Sequence, residues 1–290
     1  MTKINSSRHL KDFQTFWSRY EKNRPAIAGL IIASVIIFTA IAAPIMTPFD
    51  PLATLVGPSF EAPLTSATHP FGTDSLGRDI FSGIIYGART ALMVGLLAAS
   101  TAALIGTLVG MTSGFYGGKT DDFLMRMTDG FMVIPIFFLA LILMAFVGQS
   151  IRNVIVVIGL LSWPPIARLV RADFISIRER EFVEAARVDG TGEVNIMLRE
   201  ILPNVIPTIT VIGTLQIAAA ILLEAGLSFL GLGDPNVASW GVMLRYAQLN
   251  IYNAWYLIVF PGIAITITAL AFNMIGDGLN DALNPKLKER

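Results

Sequence analysis

The sequence predicts an all-α polytopic membrane protein with six transmembrane helices. Of its 290 residues 54% are hydrophobic and only 14% are charged. A soluble domain carries about 25% charged residues, so this chain lacks the polar surface to cover a water-facing globule. Its apolar residues gather into six runs, most near the ~20 residues that a helix needs to cross the hydrocarbon core. Its basic residues lie mainly between alternate runs. This composition argues against an ordinary soluble enzyme or a disordered chain. With 21 Lys/Arg against 21 Asp/Glu it also excludes a nucleic-acid binder. The lack of cysteine excludes a disulfide scaffold, a thiolate metal site and a cysteine nucleophile. Two histidines, His9 and His69, leave little for a metal, so no metal site is expected.

Residues 1–25 form a polar tail. Phe13, Phe16, Trp17 and Tyr20 recur there at helical spacing beside Lys11, Arg19, Lys22 and Arg24. This suits an amphipathic helix in the membrane interface, aromatics toward the acyl chains; contact with a partner protein is the alternative. The first span, 26–46, is longer than the ~7–15 apolar residues of a signal peptide and is expected to remain as an anchor. The segment 47–89 contains Pro48, Pro51, Pro58, Pro63 and Pro70, which oppose regular structure. It should be an extended loop ending in a short helix near 75–86. Asp74 is expected to cap that helix and Arg78 to form a salt bridge, with metal binding by Asp74 and Asp79 the weaker alternative. His69 is expected at the surface.

Residues 90–276 should hold the remaining five spans. In the second, 90–113, and just beyond it, Gly106, Gly110 and Gly114 recur every four residues. This is a pattern for close helix approach, within the bundle or against a second subunit. A glycine turn, 114–118, leads to the third span, 130–147. Pro135 there, and Pro164-Pro165 in the fourth span, 154–169, interrupt helical hydrogen bonding as hinges or kinks. The polar segment 171–204 reads as two short helices about a turn at Gly190–Gly192, with Pro203 stopping the second before the fifth span, 205–230. The sixth span is 255–275, and 277–290 is a tail. With the N-terminus inside, 17 of the 21 basic residues fall on the inner side, which puts both termini in the cytoplasm. Glu224 is the one acid inside these spans. A charge at depth costs about 2.5–3.5 kcal/mol on insertion scales, so Glu224 should line a path or gate, or tie helices together near Gly231–Gly233. Ser228 and Asn273 are the accompanying path or packing candidates.

Four stretches carry a resemblance. Glu184-Ala185-Ala186 is followed by Gly190 and, a dozen residues on, by Leu202-Pro203. HPFGTDSLGRDIFSGIIYGART precedes the second span, EAGLSFLGLG ends the fifth, and FNMIGDGLNDALNPKLK closes the chain. Together they resemble the second ("C") permease subunit of dipeptide, oligopeptide and nickel ABC importers; Glu200 departs from the isoleucine common at that place. The resemblance implies a type I permease architecture and alternating-access import of peptides, with nickel or oligosaccharide as alternative cargo. It implies that Glu181, Glu184, Ala185, Ala186, Asp189, Gly190, Leu202 and Pro203 couple the chain to an ATPase. The implied partners are a sister permease, two ABC ATPases and an extracytoplasmic substrate-binding protein in the cytoplasmic (inner) membrane. No G-x-x-x-x-G-K-[ST] loop is present, so ATP and Mg would be bound by the separate subunits, and the chain carries no cofactor or catalytic residue. An intramembrane hydrolase would need a nucleophile dyad or paired acids in the spans. A secondary transporter would favour internal repeats and acid–base pairs. The purified chain alone in liposomes is therefore expected to hydrolyse no ATP and to take up no solute. Uptake by the single chain, driven by ATP or by an ion gradient, would overturn this reading.

Overall fold

The computed structural model describes residues 16–283; Phe13, Lys11 and the end of the C-terminal tail lie outside them. Ten helices carry the architecture: α1 (Arg24–Met46), α2 (Ile80–Tyr116), α3 (Gly118–Val133), α4 (Ile136–Val147), α5 (Ile151–Leu161), α6 (Pro164–Arg178), α7 (Glu181–Val188), α8 (Glu193–Phe229), α9 (Trp240–Ala247) and α10 (Tyr256–Leu283). Five elements are long and apolar enough to cross a membrane: α1, α2, α5–α6 as one, α8 and α10. The pair α3–α4, bent by 84° at the break before α4, makes a sixth. Among the described residues there is no strand, only an isolated bridge between Thr73 and Asp79.

Lipid tails are as apolar as leucine, so helices in a membrane associate through close packing and polar contacts. α1 follows this rule. Its buried residues are small (Ala26, Gly29, Ala33, Ala40 and Ala43), while Ile31, Phe38, Ile41 and Ile45 are exposed. A Cβ on Gly29 would lie 2.7 Å from the Ala271 carbonyl oxygen of α10. At the α1 start Asn23 accepts from the Ala26 amide and donates through Nδ2 to Asp281 at 2.8 Å, so the start of α1 and the end of α10 meet at one face of the bundle. The short helical segment 16–20 packs there too, with Tyr20 buried.

The glycines of α2 seat α6. Added Cβ atoms would meet Ile166 Cβ at 2.7 Å (Gly106), Val170 Cβ at 2.8 Å (Gly110) and Phe174 Cβ at 2.6 Å (Gly114). The stripe thus serves packing within this chain. Polar contacts close the same seam. Arg171 grips both carboxylate oxygens of Asp121 at 2.5 Å, and Ser113 hydrogen-bonds that carboxylate. Arg178 Nη1 donates to the Gly114 and Phe115 carbonyls, which have no amide partner at the α2 C-terminus. Arg168 pairs with Asp129 of α3 at 2.5 Å.

Four expectations need correction. The segment 75–86 is not a separate helix. α2 starts at Ile80 and runs unbroken for 37 residues, because no proline interrupts it and each of its six glycines has a neighbouring segment packed close against it. Its cap is Asp79, which accepts from the Ser82 amide and hydroxyl; Asp74 instead closes the turn before it, accepting from the Leu76 and Arg78 amides and pairing with Arg78 Nε at 2.6 Å. His69 is buried, not surface-exposed. Its ring stacks on Phe49 and its Nδ1 lies 3.0 Å from Asp79 Oδ1, because the proline-rich loop folds back over the α2 start and the second Asp79 oxygen needs a partner. Pro203 does not stop a helix. Residues Ile196–Ile201 form a π-turn and α8 continues through to Phe229. Proline has no N–H to give and crowds the carbonyl four residues back; a wider turn before it absorbs both defects. The interruption expected at Pro135 is present, as α3 and α4 meet there at the 84° bend.

Gly110→Val should break the α2–α6 seam, because the new Cβ would stand 2.5 Å from the Ala167 carbonyl oxygen as well. Overpacking of this kind costs about 1–3 kcal/mol or more. Melting temperature in detergent is expected to fall by several degrees or folded yield to collapse. Gly130→Ala, with no neighbour within 4 Å of its added Cβ, should leave both unchanged.

Candidate functional site

The segment from α6 through α7 into α8 forms a projection beside the end of α10, where Asp173, Arg180 and Asn204 share a cleft with Asp277 and Asn280. α7 is fastened by one side, where fully buried Val183 joins Phe174, Ile177, Ile196 and Met197, and half-buried Ala186 and Leu202 pack against the same cluster. Its other side is open. Glu181, Glu184, Ala185 and Asp189 are exposed, with the apolar side chains of Phe182 and Val188 among them.

The turn that ends α7 needs a residue that accepts the left-handed region, and glycine supplies it. Gly190 has φ +76°, its amide donates to the Arg187 carbonyl, and the Thr191 amide donates to the Ala186 carbonyl. These bonds form a Schellman motif, which places its C′ residue in the left-handed region. Nothing lies within 4 Å of a Cβ added there, so backbone conformation, not space, sets the need. Pro203 is exposed, and like Leu202 it sits at the root of the projection on α8, away from its tip.

Glu224 lies on α8 only 3% exposed. Its Oε1 accepts from the hydroxyls of Ser228 and Ser239, each at 2.7 Å, and Ser239 also caps α9 by accepting from Gly241 N. The polar group thus ties α8 to α9 through seryl hydroxyls, not through the amides near Gly231–Gly233. Gly233 and Gly241 crowd Ser228 so closely that an added Cβ would fall 2.2 Å from its Oγ or 2.7 Å from its Cβ. Asn273 is exposed on α10 and shares no hydrogen bond with this cluster. α9 itself was not foreseen in the sequence. It wedges Trp240 against Gly87 and donates from the indole to the Ile84 carbonyl at 3.0 Å.

A cleft of about 620 Å³ opens at the bend between α3 and α4, bordered by Pro135, Pro164 and Pro165 with Ser162 and Gln216. The sequence marks the prolines as helix breakers, whereas Ser162 and Gln216 belong to no motif in it. Gln216 carried the available signal, an uncharged amide in mid-run between Leu215 and Ile217.

The family described as the binding-protein-dependent transport system inner membrane component matches residues 106–289. The N-terminal membrane domain of oligopeptide transport permease C matches residues 12–63. The chain belongs to this permease family. It is 41% identical to a dipeptide transport system permease protein of Alkalihalophilus pseudofirmus, over 94% of this chain and 89% of that protein. Against a putative peptide transport system permease protein of Brucella abortus it is 40% identical, over 93% of this chain and 90% of the relative. With a glutathione transport system permease protein of Escherichia coli the figure is 39%, over 94% and 90%. The chain is thus a multi-pass membrane component of an ABC importer, of the C-permease type, which works within a larger transport complex.

In this permease Glu224→Gln keeps an oxygen to accept from both serines, so folded yield and transport per assembled complex should stay within about twofold of the parent. Glu224→Leu strands two buried hydroxyls at about 1–3 kcal/mol each and should lower the yield of monodisperse complex. A transport defect in fully assembled Glu224→Gln would instead mark Glu224 as part of the path.

Proposed function

We propose that this chain is the pore-forming C permease of a peptide importer, and that α7 with the Gly190 turn is the element through which ATP hydrolysis moves it. The observation that carries the proposal is the mechanical build of the projection. α7 is anchored by Val183, leaves its acidic and apolar outer face open, and is flanked by α6 and α8, both of which continue into the membrane. A protein docked on α7 therefore pushes on two span-forming helices with two short connections between. Exposed acids mixed with Phe182 and Val188 suit a complementary cleft on a soluble partner, since a few buried apolar anchors within a polar rim dominate such interfaces.

The partners in this reading are a sister permease, two ABC ATPases that bind ATP and Mg, and a substrate-binding protein at the opposite face. The hydrogen bond between Asn23 and Asp281 puts both ends of the bundle on one side. The arginine-rich α6–α8 segment shares a cleft with the α10 end on that side, and the positive-inside rule supports a cytoplasmic location for it. Peptide cargo rests on the relatives: two are named for dipeptide or peptide transport and one for glutathione, itself a peptide.

The test is Gly190→Val beside Gly190→Asn in the complete importer. Valine at φ +76° is strained whereas asparagine tolerates that region. Gly190→Val should insert normally and pair with its sister, lose the ATPases on purification and lower ATP-driven peptide uptake at least about tenfold. Gly190→Asn should retain most of both. Normal ATPase co-purification and uptake in Gly190→Val would show that this loop is not the coupling element.

A further inference from the structure

Two polar side chains, and two residues whose carbonyls lose a helical partner to proline, line the cleft beside the third-span bend. Ser162 is 2% exposed, and its Oγ is buried with no hydrogen-bond partner among the described residues. Gln216 lines the same cleft from α8, half-buried, in the middle of an apolar run. Phe131 and Leu161 also line it, and the residues four further on are Pro135 and Pro165. Proline has no N–H, so neither carbonyl can receive the helical bond that an ordinary residue would supply. Broken backbone and stranded polar groups at membrane depth are tolerated where they line a cavity rather than lipid. The rest of the lining is apolar, with Phe137, Leu222 and Leu223 among it.

We propose that this cleft is a wall of the translocation path, and that Ser162, Gln216 and the two proline-freed carbonyls hydrogen-bond the main chain of a peptide in transit. The proposal rests on the peptide reading above. Each peptide bond, whatever its side chains, presents one N–H donor and one C=O acceptor. The two carbonyls and Ser162 Oγ can accept from the N–H; the Gln216 amide and the Ser162 hydroxyl can donate to the C=O. The apolar lining offers a side chain no specific partner, so main-chain contacts suit cargo of varied sequence. Glu224, the expected path residue, has its carboxylate occupied by Ser228 and Ser239 on the α9 side of the same helix. Gln216 lies eight residues earlier, about 12 Å down α8, with no side-chain partner in the described residues.

The absence of cysteine makes the test direct. Ser162→Cys and Gln216→Cys are introduced singly into the complete importer in proteoliposomes, after the parent has been shown to import peptide. A small cationic methanethiosulfonate reagent is then applied with and without ATP, against the background of the parent complex. Both thiols should react during turnover, saturating dipeptide should slow the reaction, and the modified complexes should stop importing. In parallel, Gln216→Leu should lower uptake per assembled complex about fivefold to tenfold, the scale of one net hydrogen bond. It should do so equally for a small and for a bulky dipeptide, and Gln216→Asn should retain part of the activity. Thiols that stay unreactive through turnover in a transporting complex would show the cleft sealed against the sister subunit or lipid and overturn the proposal. So would reactivity that peptide does not slow, or unchanged uptake in Gln216→Leu. If the parent instead imports a non-peptide solute and that solute protects both thiols, the peptide cargo fails while the path wall stands.

Discussion

The close seating of α6 in the glycine groove of α2 is the contact on which the rest of the molecule depends. Three glycines let two helix backbones approach until Ile166, Val170 and Phe174 rest where side chains would otherwise stand. In a membrane this proximity replaces the hydrophobic driving force that would hold helices together in water. The Asp121–Arg171 pair and the Arg178 contacts to the α2 carbonyls then set the rotation and depth of α6 in the groove. With α6 held this way, its two ends acquire their roles. One begins at Pro164 beside the cleft, and the other delivers the chain to α7. The helix between them spans about 22 Å, and no glycine or internal proline softens it.

The opposite face of the bundle is organised by polar closure. His69 and the Ser82 hydroxyl meet on Asp79, the Tyr256 hydroxyl donates to the Thr73 carbonyl, and Thr90 donates to the Ala238 carbonyl. Ser228 and Ser239 converge on Glu224. Apart from the Ser228 bond within α8, each contact joins segments distant in sequence or fixes the start of a helix. Together they hold the proline-rich loop and α9 over the ends of α2, α8 and α10. Ser162 and Gln216 lie outside this network and border the cleft at the third-span bend.

The irregular elements share one physical cause. Pro135, Pro164 and Pro203 each withhold an amide from a helix inside or near the membrane, and the fold answers each differently. At Pro135 it bends by 84°, at Pro164 it starts a new helix from the N1 position, and before Pro203 it widens into a π-turn. Proline marks the place of the disturbance. Which remedy is taken depends on the helices packed around it.

Much of this protein was determined by its sequence alone. The class, the apolar runs, the sided distribution of arginine and lysine and the glycine spacing all follow from local composition and period. So does the turn at Gly190, because glycine enters the left-handed region without the strain that a Cβ adds. The permease family was legible in its ordered motifs. Only the tertiary structure decided what the polar residues face. Asp74 and Asp79 are five residues apart and equally fit to cap a helix, yet the fold of the loop gives the role to Asp79 and buries His69 against it. Glu224, Ser228 and Asn273 looked alike as polar groups in or near the spans, but helix rotation and α9 turned the first two inward and left the third exposed. Gln216 and Ser162 meet across 54 residues of chain because α8 and the α5–α6 junction border one cleft. A side chain's type is written in the sequence, but its direction is a property of the helices that surround it.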